Sequence, residues 1–491
     1  MSSKTNSGAK ILEKETISRS AKLAFGGATL ASAILSGIGL GGALTYFYNI
    51  IYLLDEYWMN LGFIIFILWN AINDPILGFL EDRTKTKWGR RIPYLRFGSP
   101  IYTILFILIW FPFFPPNSDI ALFFNFLIIL YAFDTIYSLI GLITYSLPAE
   151  MAISSKARSN LMVYGAIASA LGTLLTFLLP DLLLTGADAP PLELFVITMI
   201  ILGIVCGIIL FISSYFIKEK KYTQMEEALN YKDSLVETIK NKPFLIFEGS
   251  NFSWLIAQYI LINGVFYYLD FVLELSGFMS LLPLIIFFLM IFIFTPIYSK
   301  LIDKYSLKKV FLFILLFTGG TFILHFFIGW LFASAIVGMF LLGIGFSGYF
   351  VTNQLIIAEA IDYDEVRTGK RRETSYSGVN ALLTKPAVSL GPVIFLWIIN
   401  EFGFSNELAN LNKTFNQTFD FIYISQSASA QFGIMLAFTI VPAICILIAA
   451  LIIAFFPLTG KEWIETKAEL ERKHKEKEVA YLKRLEGKGK L

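Results

Sequence analysis

Residues 71–91 read Ala-Ile-Asn-Asp-Pro-Ile-Leu-Gly-Phe-Leu-Glu-Asp-Arg-Thr-Lys-Thr-Lys-Trp-Gly-Arg-Arg. An apolar helix carrying one carboxylate at depth, Asp74, runs directly into a dense basic turn from Asp82 to Arg91. An ionisable side chain inside a bilayer is costly and usually has a task, so Asp74 reads as an ion or proton site. The basic turn fixes the orientation of the span and can latch two halves of a mobile protein. Together the two parts point to a protein that carries solutes across a membrane.

The rest of the chain agrees with a membrane setting. Hydrophobic residues make up 56% and charged residues 15% of 491 positions, more apolar surface than one water-soluble core absorbs. Apolar stretches long enough to span recur at 24–52, 57–81, 94–115, 119–147, 159–184, 191–217, 244–271, 278–301, 308–329, 331–358, 375–400 and 429–457. The expected fold class is therefore an all-α membrane protein of about twelve transmembrane helices. Basic residues follow the even-numbered spans: Arg83 to Arg91, Lys156 with Arg158, Lys218 to Lys242, Lys304 with Lys308 and Lys309, and Arg367 to Arg372. The alternate loops carry Asp55, Glu56, Asp119, Asp188, Asp270 and Glu274, with Lys413 as their basic residue. Positive charge stays inside, which places both termini in the cytoplasm.

A formal net charge of +2 is too small to imply nucleic-acid binding, and the lipid bilayer is the expected partner. Cys206 and Cys445 lie in apolar spans and read as buried thiols rather than a disulfide. No cleavable signal peptide is evident, so the first span serves as its own insertion signal. The polar stretch 218–243 divides the chain into an N-terminal half (1–217) and a C-terminal half (244–457), followed by a charged tail (458–491). Gly78 to Arg91 after the second span and Ser299 to Lys309 after the eighth both carry an acidic–basic pair followed by more basic residues. Recurrence at the same place in each half is what parallel repeats predict. Glu and Lys alternate in the tail around Trp463, Leu470, Tyr481 and Leu485, which reads as a solvated or membrane-skimming helix. Residues 401–427 read as a long outer loop with glycosylation-type sequons at Asn412 and Asn416.

Asn70, Asn73 and Asp74 share one helical face, and at ~1.5 Å per residue Asp74 lies roughly 12 Å inward of Asp82. A carboxylate with two amide oxygens suits a small hard cation. A buried carboxylate suits a proton equally well, because burial disfavours its charged form. Pro75 frees a carbonyl near Ala71 that can serve the same site or simply kink the helix. Lys385 lies about 15 Å along the eleventh span from the basic turn ending at Arg372, too deep to snorkel, so it needs a counter-charge or a wet cavity. Asp74 is the candidate partner, either as a static ion pair or as one that opens when cation or substrate arrives. Asp134, Ser138, Tyr145, Glu248, Asn251 and Gln258 are weaker signals, explicable by interhelical hydrogen bonding. His325 reads as a satisfied core histidine, and Gly37, Gly39, Gly41 and Gly42 as a close-packing stripe. No metal-ligand spacing, nucleophile–base arrangement or phosphate-cradling loop is present, so an enzyme and a cofactor are not expected.

Four stretches resemble the glycoside–pentoside–hexuronide:cation symporters, the melibiose-permease branch of the major facilitator superfamily. They are Asn70 to Arg91, Tyr145-Ser-Leu-Pro-Ala-Glu-Met ahead of Arg158, Ser234 to Phe244, and Ala358 to Lys385. The resemblance implies the major facilitator fold, two six-helix halves working by alternating access. It implies a cation site at Asn70, Asn73, Asp74 and Ser138 that takes H⁺ or Na⁺. A substrate and coupling set follows at Lys385, Tyr145 and Asn380. The implied inner gate comprises Asp82, Arg83, Arg90, Arg91, Glu150, Arg158, Asp303, Lys304, Asp362, Arg367, Arg371 and Arg372.

There are departures from the family pattern. Its sodium-using members place a second carboxylate where this chain has Asn70, which shifts weight toward protons or uncoupled transport. Acidic residues used for galactosides are replaced by Ala33 and Gly141, the helix 5 arginine by Gly165, and a stacking tryptophan by Tyr145. The resulting expectation is a monomeric cell-membrane symporter of a sugar or glycoside. Its rivals are a transporter of an amphiphile such as a lysolipid, and a non-transporting membrane sensor or scaffold.

Overall fold

A computed structural model describes residues 17–84, 86–114, 118–152, 155–186, 189–219, 236–369, 373–416, 424–460, 462, 463, 465–470 and 472. Regular structure among them is helical apart from an isolated bridge between Thr86 and Gly89. The N-terminal half comprises α1 (Arg19–Gly39, continued by Gly42–Tyr46 and a π turn at Phe47–Ile51), α2 (Glu56–Arg83), α3 (Ile92–Leu108), α4 (Asp119–Met151), α5 (Ser155–Leu184) and α6 (Leu192–Phe216). The C-terminal half comprises α7 (Lys242–Tyr267, continued by a π turn at Tyr268–Val272), α8 (Phe278–Tyr305), α9 (Leu307–Ile328), α10 (Phe332–Thr368), α11 (Glu373–Glu401) and α12 (Ala428–Met435, a π turn at Leu436–Ile440, then Val441–Ile453). Eleven candidate spans among the described residues are long and apolar enough to cross a membrane. The end bearing the basic loops is termed inner, after the charge rule.

Two spans differ from the sequence expectation. α3 stops at Leu108 after 17 residues, because Asn125 Oδ1 accepts from the N–H groups of Phe113 (2.7 Å) and Phe114 (3.2 Å) and folds the chain back toward α4. α10 continues beyond 358 for a total of 37 residues, its polar residues carrying the helix past the apolar span. Gly369 ends it at φ 70°, donating to Glu365 O at 2.8 Å, a left-handed stop that glycine adopts without strain.

The two halves repeat each other in packing. α1 lies on α5 and α6, α2 on α4, and α3 on α4 and α6; α7 lies on α11 and α12, α8 on α10, and α9 on α10 and α12. The outer ends repeat in detail. The π turns ending α1 and α7 are each followed by a non-glycine residue at positive φ, Leu53 (58°) and Glu274 (52°), standing at the same spacing as Tyr46 from Tyr267 and Asn49 from Asp270. The halves meet along three seams: α2 with α11, α5 with α8, and the outer part of α1 with α7. At the last seam a Cβ on Gly42 would stand 2.3 Å from the Ile262 carbonyl oxygen, so only glycine permits the approach.

Three peripheral expectations are corrected. The outer loop contains a helix, Asn406–Asn416, and Asn412 is buried, donating to Ile424 O (2.7 Å) and accepting from Ile424 N (3.1 Å), so this sequon is closed to a glycan. The start of the tail is packed rather than solvated: Trp463 faces Tyr363, Lys467 pairs with Glu359 at 3.3 Å, and Leu470 is buried. Residues 473–491 lie outside the described residues. His325 is buried with neither ring nitrogen hydrogen-bonded; its ring packs edge-on to Tyr268 and Phe438 in the space left by Gly338. Cys206 and Cys445 are free thiols.

Candidate functional site

α2 starts where the Asp55 carboxylate accepts from Tyr57 N at 2.8 Å, and it then packs against both α4 and α11. The face carrying Asn73 and Asp74 is therefore shared by three helices from both halves. Lys385, from α11, donates through Nζ to Asp74 Oδ1 (2.5 Å), Asn73 Oδ1 (2.7 Å) and Ser138 Oγ (3.0 Å). The Lys385 and Asp74 side chains are 15% and 14% exposed, so the pair is largely withdrawn from solvent. The ammonium occupies the place that the sequence reading gave to a cation.

The same geometry brings in a residue that the sequence marked only weakly. Asn73 turns its Nδ2 to α4, donating to the buried carboxylate of Asp134 and to Ser138 Oγ at 3.3 Å. Asp134 stands one helical turn before Ser138, a spacing that could have signalled a shared face. The described cluster thus holds two carboxylates and one ammonium. Asn70 is buried one turn from Asp74 and takes no part in the Lys385 bonds; its Oδ1 has no hydrogen-bond partner. Tyr145, two turns inward of Ser138, is 71% exposed. Asn380 lies away from this cluster, bonded to Asn251 on α7 at 3.1 Å.

At the inner end, Glu150 accepts from Arg90 Nη2 (2.8 Å) and Arg91 Nε (2.6 Å), while Arg91 Nη1 reaches Glu81 (3.2 Å). Glu219 completes the turn: its carboxylate accepts from the backbone N–H groups of Arg90, Arg91 and Ile92 at 2.8–2.9 Å, at the start of α3. Such a carboxylate satisfies the free donors of a helix N-terminus. Arg158 Nε donates to Ala152 O at 2.9 Å. In the other half, Arg367 pairs with Asp364 (3.0 Å) and Glu237 (3.2 Å), Asp362 is half-buried, and Lys304 is exposed against the Tyr305 ring. Arg83 is exposed. These ion pairs lie within one half or, for Arg367 with Glu237, between the C-terminal half and the central stretch that leads into it. The side chains of Asp82, Asp303, Arg371 and Arg372 lie outside the described residues. Glu81, Glu219 and Glu237 were not singled out by the sequence, since acidic residues in a basic loop carry no pattern of their own.

The outer end joins the halves reciprocally. Tyr46 donates to Asp270, and Tyr267 donates to Asn49 at 2.8 Å, so equivalent residues of the two repeats bond across the seam in both directions. Thr45 to Asn263 (2.7 Å), Ser280 to Asp181 (2.6 Å) and Asn410 to Ile50 O (2.8 Å) extend the contact. Tyr46, Tyr267, Phe271 and Phe404 pack as an aromatic plug around it. This arrangement closes the outer side.

A family model described as MFS/sugar transport protein matches residues 25–460. The uncharacterized symporter YnaJ of Bacillus subtilis (strain 168) is 26% identical over 463 residues, covering 88% of this chain and 90% of that protein. The glucuronide carrier protein homolog of Escherichia coli (strain K12) is 22% identical over 410 residues, covering 83% and 86%. Among solved structures, the xylose transporter XylE from E. coli, in a partially occluded inward-open conformation, superposes with a TM-score of 0.56 at 16% identity, covering 90% of this chain and 98% of that one. The likeness assigns the fold to the major facilitator type.

Proposed function

The chain belongs to the MFS/sugar transport protein family, and on that premise we propose that it is a symporter coupling H⁺ or Na⁺ to a sugar or glycoside. It is a multi-pass integral membrane transporter that works by alternating access, and it is not an enzyme. The observation that carries the coupling reading is the charge count at the α2–α4–α11 junction. With Asp74 and Asp134 ionised and Lys385 charged, the described cluster has one negative charge in excess, which one proton or one monovalent cation balances. Isolated charge at this depth is costly, so the cluster favours taking up that cation.

Lys385 supplies the link to movement. Its ammonium on α11 ties the C-terminal half to Asp74 on α2. A cation entering among Asn73, Asp74, Asp134 and Ser138 displaces the ammonium from the Asn73, Asp74 and Ser138 oxygens and loosens α11 from α2. Opening this pair in step with substrate makes the tie a coupling device rather than a fixed clamp, since a buried pair adds little net stability. Recognition of galactosides does not transfer. A Cβ on Gly165 would stand 2.7 Å from the Phe25 ring, so that ring borders the place where the family pattern has a basic side chain.

The test is uptake into proteoliposomes of sugars, and of lysolipids as the rival class, with and without Na⁺ and pH gradients. Sugar uptake driven by one gradient, with that dependence lost in Asp74→Asn, is the expected result. Lysolipid uptake alone would replace the sugar reading, and movement of neither class would overturn both. Unchanged cation dependence in Asp74→Asn would remove Asp74 from the coupling site.

A further inference from the structure

A second carboxylate is buried in the C-terminal half, outside the Lys385 cluster. Glu248 sits on α7 about 9 Å from its inner end and is 2% exposed. Burying an ionised carboxylate is expensive without a cation or several donors. Among the described residues no cation pairs with Glu248. Its neighbour across the seam with α11 is the Asn380 side-chain amide, one end of which lies 3.0 Å from each Glu248 oxygen and 3.1 Å from Asn251 Nδ2. Asn251 Oδ1 in turn accepts from the Tyr349 hydroxyl on α10. Tyr349 is held by parallel stacking on Trp254, with centroids 3.9 Å apart, and Trp254 Nε1 donates to Gln258 at 3.2 Å.

These contacts have two self-consistent hydrogen-bond registers. In the first, the Asn380 atom between the two side chains is oxygen. It accepts from Asn251 Nδ2, and Glu248 must then carry a proton to donate to it. Asn251 Oδ1 remains free to accept from Tyr349, and every group has a partner. In the second, the Asn380 amide is turned so that nitrogen faces an ionised Glu248. That nitrogen now opposes Asn251 Nδ2, donor against donor, so Asn251 must turn as well and present its oxygen. Its Nδ2 then points to Tyr349 and donates to the phenol oxygen. The registers differ by one proton on Glu248, the rotation of two amides and the turning of the Tyr349 O–H.

The geometry points to Glu248 as a proton-binding site of the C-terminal half, read out by Asn380 on α11. On protonation, a proton from solvent adds to one Glu248 oxygen and that O–H donates to Asn380 Oδ1; on release, the proton returns to solvent and Asn380 donates instead. Asn380 and Lys385 are about 7.5 Å apart along the same helix, so the switch borders the helix that ties the halves together. Of the titratable groups on the helices packed against this face, Tyr349 from α10 faces Glu248. Among the described residues no further charged or titratable group on α10, α11 or α12 acts on it. Ser250, on α7, is taken up by the Ala449 carbonyl of α12 at 2.9 Å.

The test is pH-dependent infrared difference spectroscopy on the full-length protein in liposomes without substrate, so its outcome is separate from the symport reading. A protonated-carboxyl band that titrates, shifts in D₂O, disappears in Glu248→Gln and persists in Asp74→Asn is expected. An acid-minus-alkaline spectrum identical in parent and Glu248→Gln would overturn the assignment. Asn380→Leu keeps the carboxyl and covers the case where Glu248→Gln does not insert. Removing the amide changes the proton affinity about tenfold, a midpoint displaced by about one pH unit; an unmoved midpoint would overturn the role of Asn380.

Discussion

The ammonium of Lys385 stands among three oxygens, from Asp74, Asn73 and Ser138, at 2.5–3.0 Å. Any cation bound there competes with it, and Lys385→Met removes the competitor. At 2.5 Å and an effective dielectric of ~20, the Lys385–Asp74 attraction is about 7 kcal/mol before the cost of desolvating either charge. Breaking a buried pair by removing one partner costs about 3–5 kcal/mol net, and both side chains here are only 14–15% exposed. A cation entering the native site works against a penalty of that order, whereas in Lys385→Met it meets two uncompensated carboxylates, Asp74 and Asp134. Na⁺ affinity should therefore rise by on the order of 10²–10³-fold, at ~1.4 kcal/mol per factor of ten. The measurement is calorimetric titration of purified protein with NaCl against a choline chloride control. The gain should disappear in Lys385→Met combined with Asp74→Asn, and coupled uptake should be lost in both variants. Na⁺ affinity unchanged or weakened in Lys385→Met would refute the placement of the ammonium in the cation's position. The expectation is the same whether the native protein runs on H⁺ or Na⁺, because it concerns the vacated oxygens.

Asn70→Asp places a third carboxylate at a buried position whose Oδ1 has no partner, repelling Asp74 by about 3 kcal/mol at ~6 Å and a dielectric of ~20. Stimulation of uptake by Na⁺ should increase, and an unchanged Na⁺ dependence would take Asn70 out of the site. Tyr46→Phe and Tyr267→Phe each break one arm of the outer seal. In a Cys206- and Cys445-free background with Phe266→Cys, at the buried ring that packs edge-on against Tyr46, either change should raise labelling by an impermeant thiol reagent several-fold. Equal labelling would assign the closure to the aromatic plug alone. Gly89→Ala puts a side chain at φ 123° and a Cβ 2.4 Å from the Glu219 carboxyl carbon, with an expected loss of about 1–3 kcal/mol from strain before the clash is counted. Its melting temperature in detergent should fall and recover only partly on adding Glu219→Ala. A parental melting temperature would show that the inner turn tolerates another conformation.

The all-helical membrane architecture and the repeat were legible in the sequence because both rest on apolar run length and loop charge. The boundaries failed where polar residues decide them. The apolar run ends near 358, yet α10 goes on to Thr368 with Lys467 pairing to its Glu359. α3 stops early because a side chain from α4, Asn125, captures the backbone after it. At the site, Asp74 and Lys385 were visible because charge at depth is rare. Asp134 was discounted because one acid in a long apolar helix does not reveal its facing residue. Only the packing of α4 on α2 shows that Asn73 bridges the Lys385 ammonium and the Asp134 carboxylate. The reciprocal Tyr46–Asp270 and Tyr267–Asn49 bonds were missed for a related reason, since a tyrosine followed three residues later by Asn or Asp is too short a pattern to reveal its partner in the other half.

The repeat also explains why the chemistry is found on one side. By the correspondence of the halves, the seam of α2 with α11 has a counterpart in the seam of α5 with α8. The second seam is fastened near its outer end by the Ser280 hydroxyl, which donates to Asp181, a carboxylate that also accepts from Thr185 one turn on in its own segment. The first is fastened at mid-depth by a full ion pair with a second acid behind it. On the proposed coupling, hydroxyl bonds to Asp181 survive a change in cation occupancy, whereas the Lys385 tie does not, because the same oxygens would serve both ammonium and cation. On that proposal a cation loosens one seam while leaving its counterpart and the reciprocal outer bonds in place. Movement then begins as a rotation about the outer contacts rather than as separation of the halves, the motion that alternating access requires.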